Sequence, residues 1–319
     1  MLRPLLLLAA LSLLALLASV SLGSADLSLG QTLQVLVGGG SDLDRTLILD
    51  LRLPRSLSAF ATGGLLAVAG ALMQVLLRNP LADPYVLGLS GGAAVGALLA
   101  MLAGAAGVLV SGSAFAGALL STFLVFGLAR ATGAWTPARL LLTGVVIAAG
   151  WGAVMTLILA TAPGRRLPGM LYWLMGDLSQ SGRPWPALSV LVVACALLLP
   201  LGRTLNVLAR GTAQAAVLGV AVRPLEWLVY LTASALTAVA VTTAGTVGFV
   251  GLIVPHMLRL ALGSDQRLIL PACALAGGTL LVVADMLART VVAPEQLPVG
   301  VITALIGVPA FLFLLARSR

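Results

Sequence analysis

The sequence predicts an all-α polytopic membrane protein with about ten membrane-spanning helices in two inverted groups. Of its 319 residues, 60% are hydrophobic and only 9% are charged, whereas soluble domains carry roughly 25% charged residues. The hydrophobic residues also form long blocks, and several of these, such as 5–22 and 57–77, approach the ~20 residues that a helix needs to cross a bilayer. A water-soluble domain of this length has no room to bury so much apolar surface.

Proline, glycine and charged residues separate the blocks and set the expected spans. In chain order, these spans are 4–22, 54–77, 86–108, 113–129, 140–160, 187–202, 225–244, 247–262, 268–290 and 297–315. The first block follows Arg3 and ends in small residues, as a secretory signal does. Its apolar run exceeds the roughly 7–15 residues of a signal core, which favours a retained first helix over a cleaved one.

The arginines predict the orientation in the membrane. All 18 basic residues are arginine. If the N-terminus faces the cytoplasm, eleven of them fall on the side of the two termini and seven on the other. Cytoplasmic loops carry an excess of positive charge, so we expect both termini in the cytoplasm. The arginines stand singly between apolar blocks, which is typical of a lipid surface and not of nucleic-acid binding.

Several kinds of chemistry are excluded by composition. Without lysine, the chain cannot supply a Walker-type nucleotide loop or a lysine Schiff base. His256 is the single histidine, so no multi-histidine metal cluster exists. Cys195 and Cys273 lie inside separate apolar blocks, where small buried residues are the expected interpretation.

Two interrupted segments point to a transport pathway. Spans two to five and seven to ten form two groups of four with opposite orientation. Each group contains an early region broken by proline and glycine, at 79–92 and at 245–255. Broken helices at matching places in inverted halves mark the substrate site of many transporters.

Four motifs in order carry a family resemblance. They are Arg52-Leu53-Pro54-Arg55, Arg78-Asn79-Pro80-Leu81-Ala82-Asp83-Pro84, the stretch from Gly245 to Arg259, and the ending Leu297 to Pro309. Together they resemble the permease subunits of type II ABC importers for iron chelates (siderophores), haem and cobalamin, a FecCD-like family. The resemblance extends from about Arg52 to Arg317.

The resemblance implies a single permease domain, 1–319, with the type II ABC importer fold. It implies a second copy of the chain, two cytoplasmic ATPase subunits and a periplasmic substrate-binding protein, in the bacterial inner membrane. The permease itself would be no enzyme and would bind no cofactor, since ATP and Mg belong to the partner ATPase. The missing nucleotide loop agrees with this division.

The resemblance also implies three groups of functional residues. Docking of the binding protein falls to Arg52, Arg55 and Arg289. The cytoplasmic gate comprises Asn79 and Leu81 together with Thr136 and Pro137 in the loop 134–139. ATPase coupling falls to the loop 203–224, with Arg210, Gly211, Thr212, Gln214, Leu218 and Gly219.

Other interpretations of these residues stay open. Arg52 and Arg55 suit a helix start anchored at lipid headgroups, and Arg289 has Asp285 one helical turn earlier, so the two charges can neutralise each other. The stretch Thr212–Leu218, between two glycines, is expected to form a short helix that either contacts an ATPase or lies at the membrane interface.

Two other classes of protein compete with the importer permease. An ion-coupled secondary transporter needs ionisable residues at membrane depth, and Asp285 is nearly the single candidate. An intramembrane hydrolase would have to use Asp285 or His256, with no second carboxylate or base evident. For an importer, spans five and ten are the expected pathway walls. Their apolar and small side chains fit a metal that stays inside its organic ligand.

Overall fold

The computed structural model describes residues 2–23, 27–131, 136–179 and 181–317, and the regular elements in these ranges are helices. A π-helix, Thr46–Arg52, leads into α4, and a 3-10 turn, Pro84–Leu87, leads into α5. The α-helices are α1 (Leu2–Ser21), α2 (Leu29–Leu36), α3 (Asp42–Arg45), α4 (Leu53–Leu76), α5 (Leu89–Leu102), α6 (Val108–Ala131), α7 (Pro137–Thr161), α8 (Leu167–Leu174), α9 (Trp185–Leu198), α10 (Gly202–Ala209), α11 (Thr212–Val217), α12 (Val222–Ala244), α13 (Val250–Leu262), α14 (Gln266–Thr290) and α15 (Val299–Arg317).

Each of the ten predicted spans corresponds to one of these helices. Six helical stretches are long and apolar enough to cross a membrane, and α9 with α10 makes a seventh if this pair, bent by 74°, is one span. The shorter apolar helices α5, α13 and α15 supply the rest. The third span is shorter than the predicted 86–108 because Gly88 adopts a left-handed conformation and starts α5 late. The fourth is longer, since α6 begins at Val108.

Helix α4 lies at the centre of the molecule, and every residue from Ala61 to Leu76 is buried. It packs against α12, α13 and α14. Glycine permits the closest approaches: a Cβ on Gly63 would collide with the carbonyl of Gly277, and one on Gly70 with the carbonyl of Gly251. Small residues of this kind let helix backbones approach closely inside a membrane.

The two predicted broken segments meet each other. The backbone N–H of Val247, between α12 and α13, donates to the hydroxyl of Tyr85 in the turn before α5, at 3.1 Å. Phe249 begins α13 with φ +69°, which is unusual for a residue other than glycine. Both interruptions therefore lie at one place, where the two halves of the chain contact each other.

The short helices mark the two faces of the molecule. Helices α2, α3 and α8 lie at one face, and α10 and α11 lie at the other, to which the N-terminus of α1 also points. Following the predicted orientation, we call these the outer and inner faces. Only 11% of the apolar window of α7 is buried inside the chain, so this helix offers most of its surface to lipid or to another protein.

Candidate functional site

Three arginines and one aspartate form a network at the outer face. The carboxylate of Asp285 on α14 is 0% exposed and accepts hydrogen bonds from two arginines. Arg55 places Nε 3.0 Å and Nη2 2.8 Å from Oδ1 of Asp285, and Arg289 places Nε 3.1 Å from Oδ2. These charge-assisted bonds satisfy the carboxylate, which a buried ion pair requires if it is not to destabilise the fold.

The same network holds the end of α1. Arg52 donates from Nη1 to the carbonyls of Val20 and Ser21, at 3.0 and 2.7 Å. Arg289 donates from Nη2 to the carbonyl and the Oγ of Ser19, at 3.1 and 2.8 Å. The last carbonyls of a helix lack partners within it, and cationic side chains there are favourable. These two arginines therefore cap α1.

The structure thus brings the three predicted docking arginines together but engages them unequally. Arg52 and Arg289 are buried, and the predicted pairing of Arg289 with Asp285 is present. The Arg55 side chain is 14% exposed, and its Nη1 lies 2.7 Å from Oε1 of Gln296 at the surface. Ser19 and Gln296 were missed by sequence reasoning, because no local pattern links them to residues more than 200 positions away.

The predicted gate residues lie at helix boundaries. Asn79 follows α4, and its Oδ1 accepts the backbone N–H of Leu81 at 2.9 Å, which closes a tight turn. Leu81 is exposed. Thr136 is the N-cap of α7 and accepts from the backbone N–H of Arg139, and Pro137 is the first residue of that helix. Residues 132–135 lie outside the described residues.

The predicted coupling segment forms the short helix that the sequence indicates. Helix α11 begins after Gly211 and ends in a Schellman motif, in which Gly219 donates to the carbonyl of Ala216 and Val220 to that of Ala215. Gly219 has the positive φ, +78°, that this motif needs. Thr212 is half-buried and Gln214 is exposed, as are the large apolar side chains of Val217 (88% exposed) and Leu218 (68% exposed).

A cavity of ≈ 580 Å³ opens beside this segment at the inner face. It lies between the end of α4, α10 and the start of α14, and Arg78, Arg210 and Arg259 line it. Arg259 bonds to the Oε1 of Gln74, as well as to the carbonyl of Ala71 at 3.4 Å. The sequence placed Arg259 at the end of a family motif, but nothing in it indicated the partner Gln74 on α4.

A second cavity, of ≈ 540 Å³, is almost entirely apolar. It is lined by α15 residues such as Val301, Ala304 and Leu305, with Met175 and Thr246 opposite. It therefore lies against one of the two helices expected to form the pathway wall.

The main ionisable group at membrane depth, Asp285, is not free to act as a proton carrier or a catalytic acid. Both oxygens of Asp285 are held by arginines, so the carboxylate that an ion-coupled carrier or a hydrolase would need is already engaged. Within the described residues, no group of three His, Cys, Asp or Glu side chains is placed to hold a metal ion.

The all-helical fold, with two interrupted segments meeting near its centre and a short exposed helix at the inner face, defines a multi-pass membrane permease. A family model described as the FecCD transport family matches residues 10–317, and the chain belongs to this family.

The relatives include two importer permeases. The cobalamin import system permease protein BtuC of Halobacterium salinarum is 44% identical over 294 residues, which cover 91% of this chain and 75% of that protein. The hemin transport system permease protein HmuU of Yersinia pestis is 43% identical over 284 residues, which cover 85% of this chain and 83% of that protein. A solved structure described as an inward-facing metal-chelate type ABC transporter matches with a TM-score of 0.89 and 29% identity, covering 99% of this chain and 100% of that one.

Proposed function

We propose that the chain is the membrane subunit of a binding-protein-dependent ABC importer that moves a bulky metal chelate into the cytoplasm. The cargo class is a ferric siderophore, haem or cobalamin, and a separate ATPase subunit powers the cycle. The observation that carries this proposal is family membership over residues 10–317, with relatives named for cobalamin and hemin import. We place the protein in the bacterial inner membrane with both termini in the cytoplasm.

The apolar surfaces support a pathway between two copies of the chain. Helix α7 buries little of itself, and α15 exposes Leu305, which lines the apolar cavity, as well as Leu312 and Phe313. A second copy packed on these helices would enclose a channel with smooth walls. Such walls give a chelate few polar groups to hold it, so the conformational cycle would set the direction of movement.

The outer-face network supports docking of an acidic partner through Arg55. Of the three predicted docking arginines, Arg55 is the one whose hydrogen bond to a neighbouring side chain, Gln296, lies at the surface. A carboxylate of a periplasmic binding protein is a stronger acceptor than this neutral amide. Arg289 would then hold Arg55 in position through the shared Asp285, and Arg52 would hold the end of α1.

The test is reconstitution of the permease with its candidate ATPase and binding-protein subunits. Proteoliposomes receive labelled cyanocobalamin, hemin or a ferric siderophore, with ATP on the cytoplasmic side. We expect ATP-dependent uptake of one cargo that requires the binding protein. Uptake driven by a proton gradient, without ATP or an ATPase subunit, would refute the proposal and favour the ion-coupled carrier.

A further inference from the structure

Arg78 occupies a backbone position that normally belongs to glycine. Helix α4 ends in a Schellman motif, with the N–H of Arg78 donating to the carbonyl of Val75 at 3.3 Å and that of Asn79 to Gln74 at 3.2 Å. The motif requires a left-handed residue, and Arg78 supplies it with φ +48°. The matching position after α11 is Gly219. A strained residue other than glycine points to a role for its side chain.

The Arg78 guanidinium lies at the inner-face cavity, next to the start of α11. Its Nη1 is 3.8 Å from the point where a Cβ on Gly211 would stand. Arg210 and Arg259 line the same cavity of ≈ 580 Å³. Two loops that are far apart in sequence, after α4 and after α10, therefore present arginines to one space.

The positive charge of this cavity is not neutralised from within. Asp265, the acidic residue among those lining it, is held by Nη2 of Arg267 at 2.7 Å and by Nδ2 of Asn206 at 2.8 Å. These bonds hold the pKa of Asp265 below its usual range, so the carboxylate is ionised but already committed. In the part of the chain that the structure describes, Arg78 and Arg210 form no ion pair within 4.0 Å.

One acidic residue outside the lining also acts on Arg78. Glu226 of α12 interacts with Arg78 and Arg223 through a longer-range Coulomb attraction, without forming an ion pair with either. It is buried and does not line the cavity, whereas Arg78 does.

We propose that this cavity receives an acidic side chain of the ATPase subunit, beside the contact that α11 makes with the same subunit. The inference rests on the proposed function. Arginine offers a planar fork that pairs with a carboxylate through two hydrogen bonds. The exposed Val217 and Leu218 lie at the adjoining helix α11. One surface of the ATPase subunit would therefore cover these two apolar side chains and place its carboxylate in the arginine-lined cavity.

The experiment measures the affinity of the purified ATPase subunit for the permease in nanodiscs of neutral phosphatidylcholine. We compare the wild type with R78G and R210E, and use R3E, at an exposed arginine on the same face, as the charge control. We expect R78G and R210E to weaken binding at least about tenfold and R3E to change it less than about twofold. R78G should keep or raise the Tm, because glycine removes the backbone strain.

The outcomes separate this inference from the proposed function. If both R78G and R210E bind the ATPase subunit with wild-type affinity, the cavity does not receive an acidic side chain, although the importer complex still forms. Failure of the wild-type permease to bind the ATPase subunit at all would refute the proposed function itself. The same variants are measured in nanodiscs that contain phosphatidylglycerol. If they lose bound anionic lipid but keep their ATPase affinity, the cavity binds a lipid headgroup and the inference is wrong.

Discussion

Asp285 is the residue on which the outer-face arginines depend. Its carboxylate is fully buried between Arg55 and Arg289, and these in turn reach α1 and the surface. Removing one partner of a buried ionic network leaves the other charges uncompensated, which costs more than the intact network contributes. The one carboxylate of Asp285 therefore links three helices, α1, α4 and α14.

We predict that Asp285→Asn lowers the free energy of unfolding by about 3–5 kcal/mol, because the buried Arg289 and the half-buried Arg55 lose their counter-charge. Chemical unfolding in detergent measures the change. Asp50→Asn is the control, since Asp50 is exposed near the same site and surface substitutions change stability by about 0.5 kcal/mol or less. Equal effects of the two variants would contradict a stabilising role for the network.

We predict that substitution of Arg52 lowers stability, whereas substitution of Arg55 weakens capture of the binding protein. Arg52→Gln should lower stability by about 1.5–3 kcal/mol through its lost bonds to α1, with capture of the binding protein nearly unchanged. Arg55→Gln should weaken that capture by about tenfold, because the charge that reaches the surface beside Gln296 is lost. Unfolding and binding-protein affinity are measured on both variants. Equal loss of affinity in the two would mean that the buried arginine also contacts the partner.

At the scale of elements, the helices and their interruptions were predictable because their causes are local. Hydrophobic length identified the spans, and proline and glycine identified the breaks after α4 and before α13. The contact between the breaks was not predictable. Tyr85 and Val247 are 162 positions apart, and nothing in either segment specifies the other.

The outer-face arginines were likewise only partly predictable from the sequence. Motif and charge predicted that Arg52, Arg55 and Arg289 belong to one face, and this is where they lie. Their burial and their shared partner depend on how α1, α4 and α14 pack. The start of α5 was placed too early for a related reason, because the 3-10 turn Pro84–Leu87 contains apolar residues that resemble a helix in sequence.

The contact between the breaks gives a prediction for Gly251 on α13. A Cβ there would lie 2.7 Å from Cδ of Pro84 and 3.0 Å from the carbonyl of Leu66. Gly251→Ala should therefore cost about 1–3 kcal/mol of stability and reduce uptake, since the core must shift to admit one methyl group. Gly248→Ala is the matched control, because its Cβ would meet nothing within 4 Å. Similar Tm values for the two variants would contradict close packing at this break.

At the scale of the whole molecule, the candidate sites lie at opposite faces and α4 connects them. Arg55 belongs to the first turn of α4 at the outer face, and Arg78 follows its last turn at the inner face. Between these ends the helix is buried against α12, α13 and α14. A movement imposed on the inner end would therefore reach the two interrupted segments and the outer end through a single packed helix.

A movement imposed on α11 by an ATPase would reach this core through the C-terminal end of the helix. Gly219 ends α11 with φ +78°, and a Cβ there would meet nothing within 4 Å, so a substitution acts through the backbone alone. Gly219→Val should leave ATP hydrolysis within about twofold and reduce uptake about tenfold, because a β-branched residue strongly disfavours a positive φ and would loosen the helix end.

Gly219→Asn separates backbone geometry from bulk. Asparagine adds a side chain close to valine in size but adopts the left-handed conformation more readily, so uptake should stay within about threefold of the wild type. Hydrolysis and uptake are measured in the same proteoliposomes. If both variants uncouple equally, side-chain bulk against the ATPase is the cause. If neither does, the left-handed end of α11 at Gly219 is not needed for coupling, and the prediction is wrong.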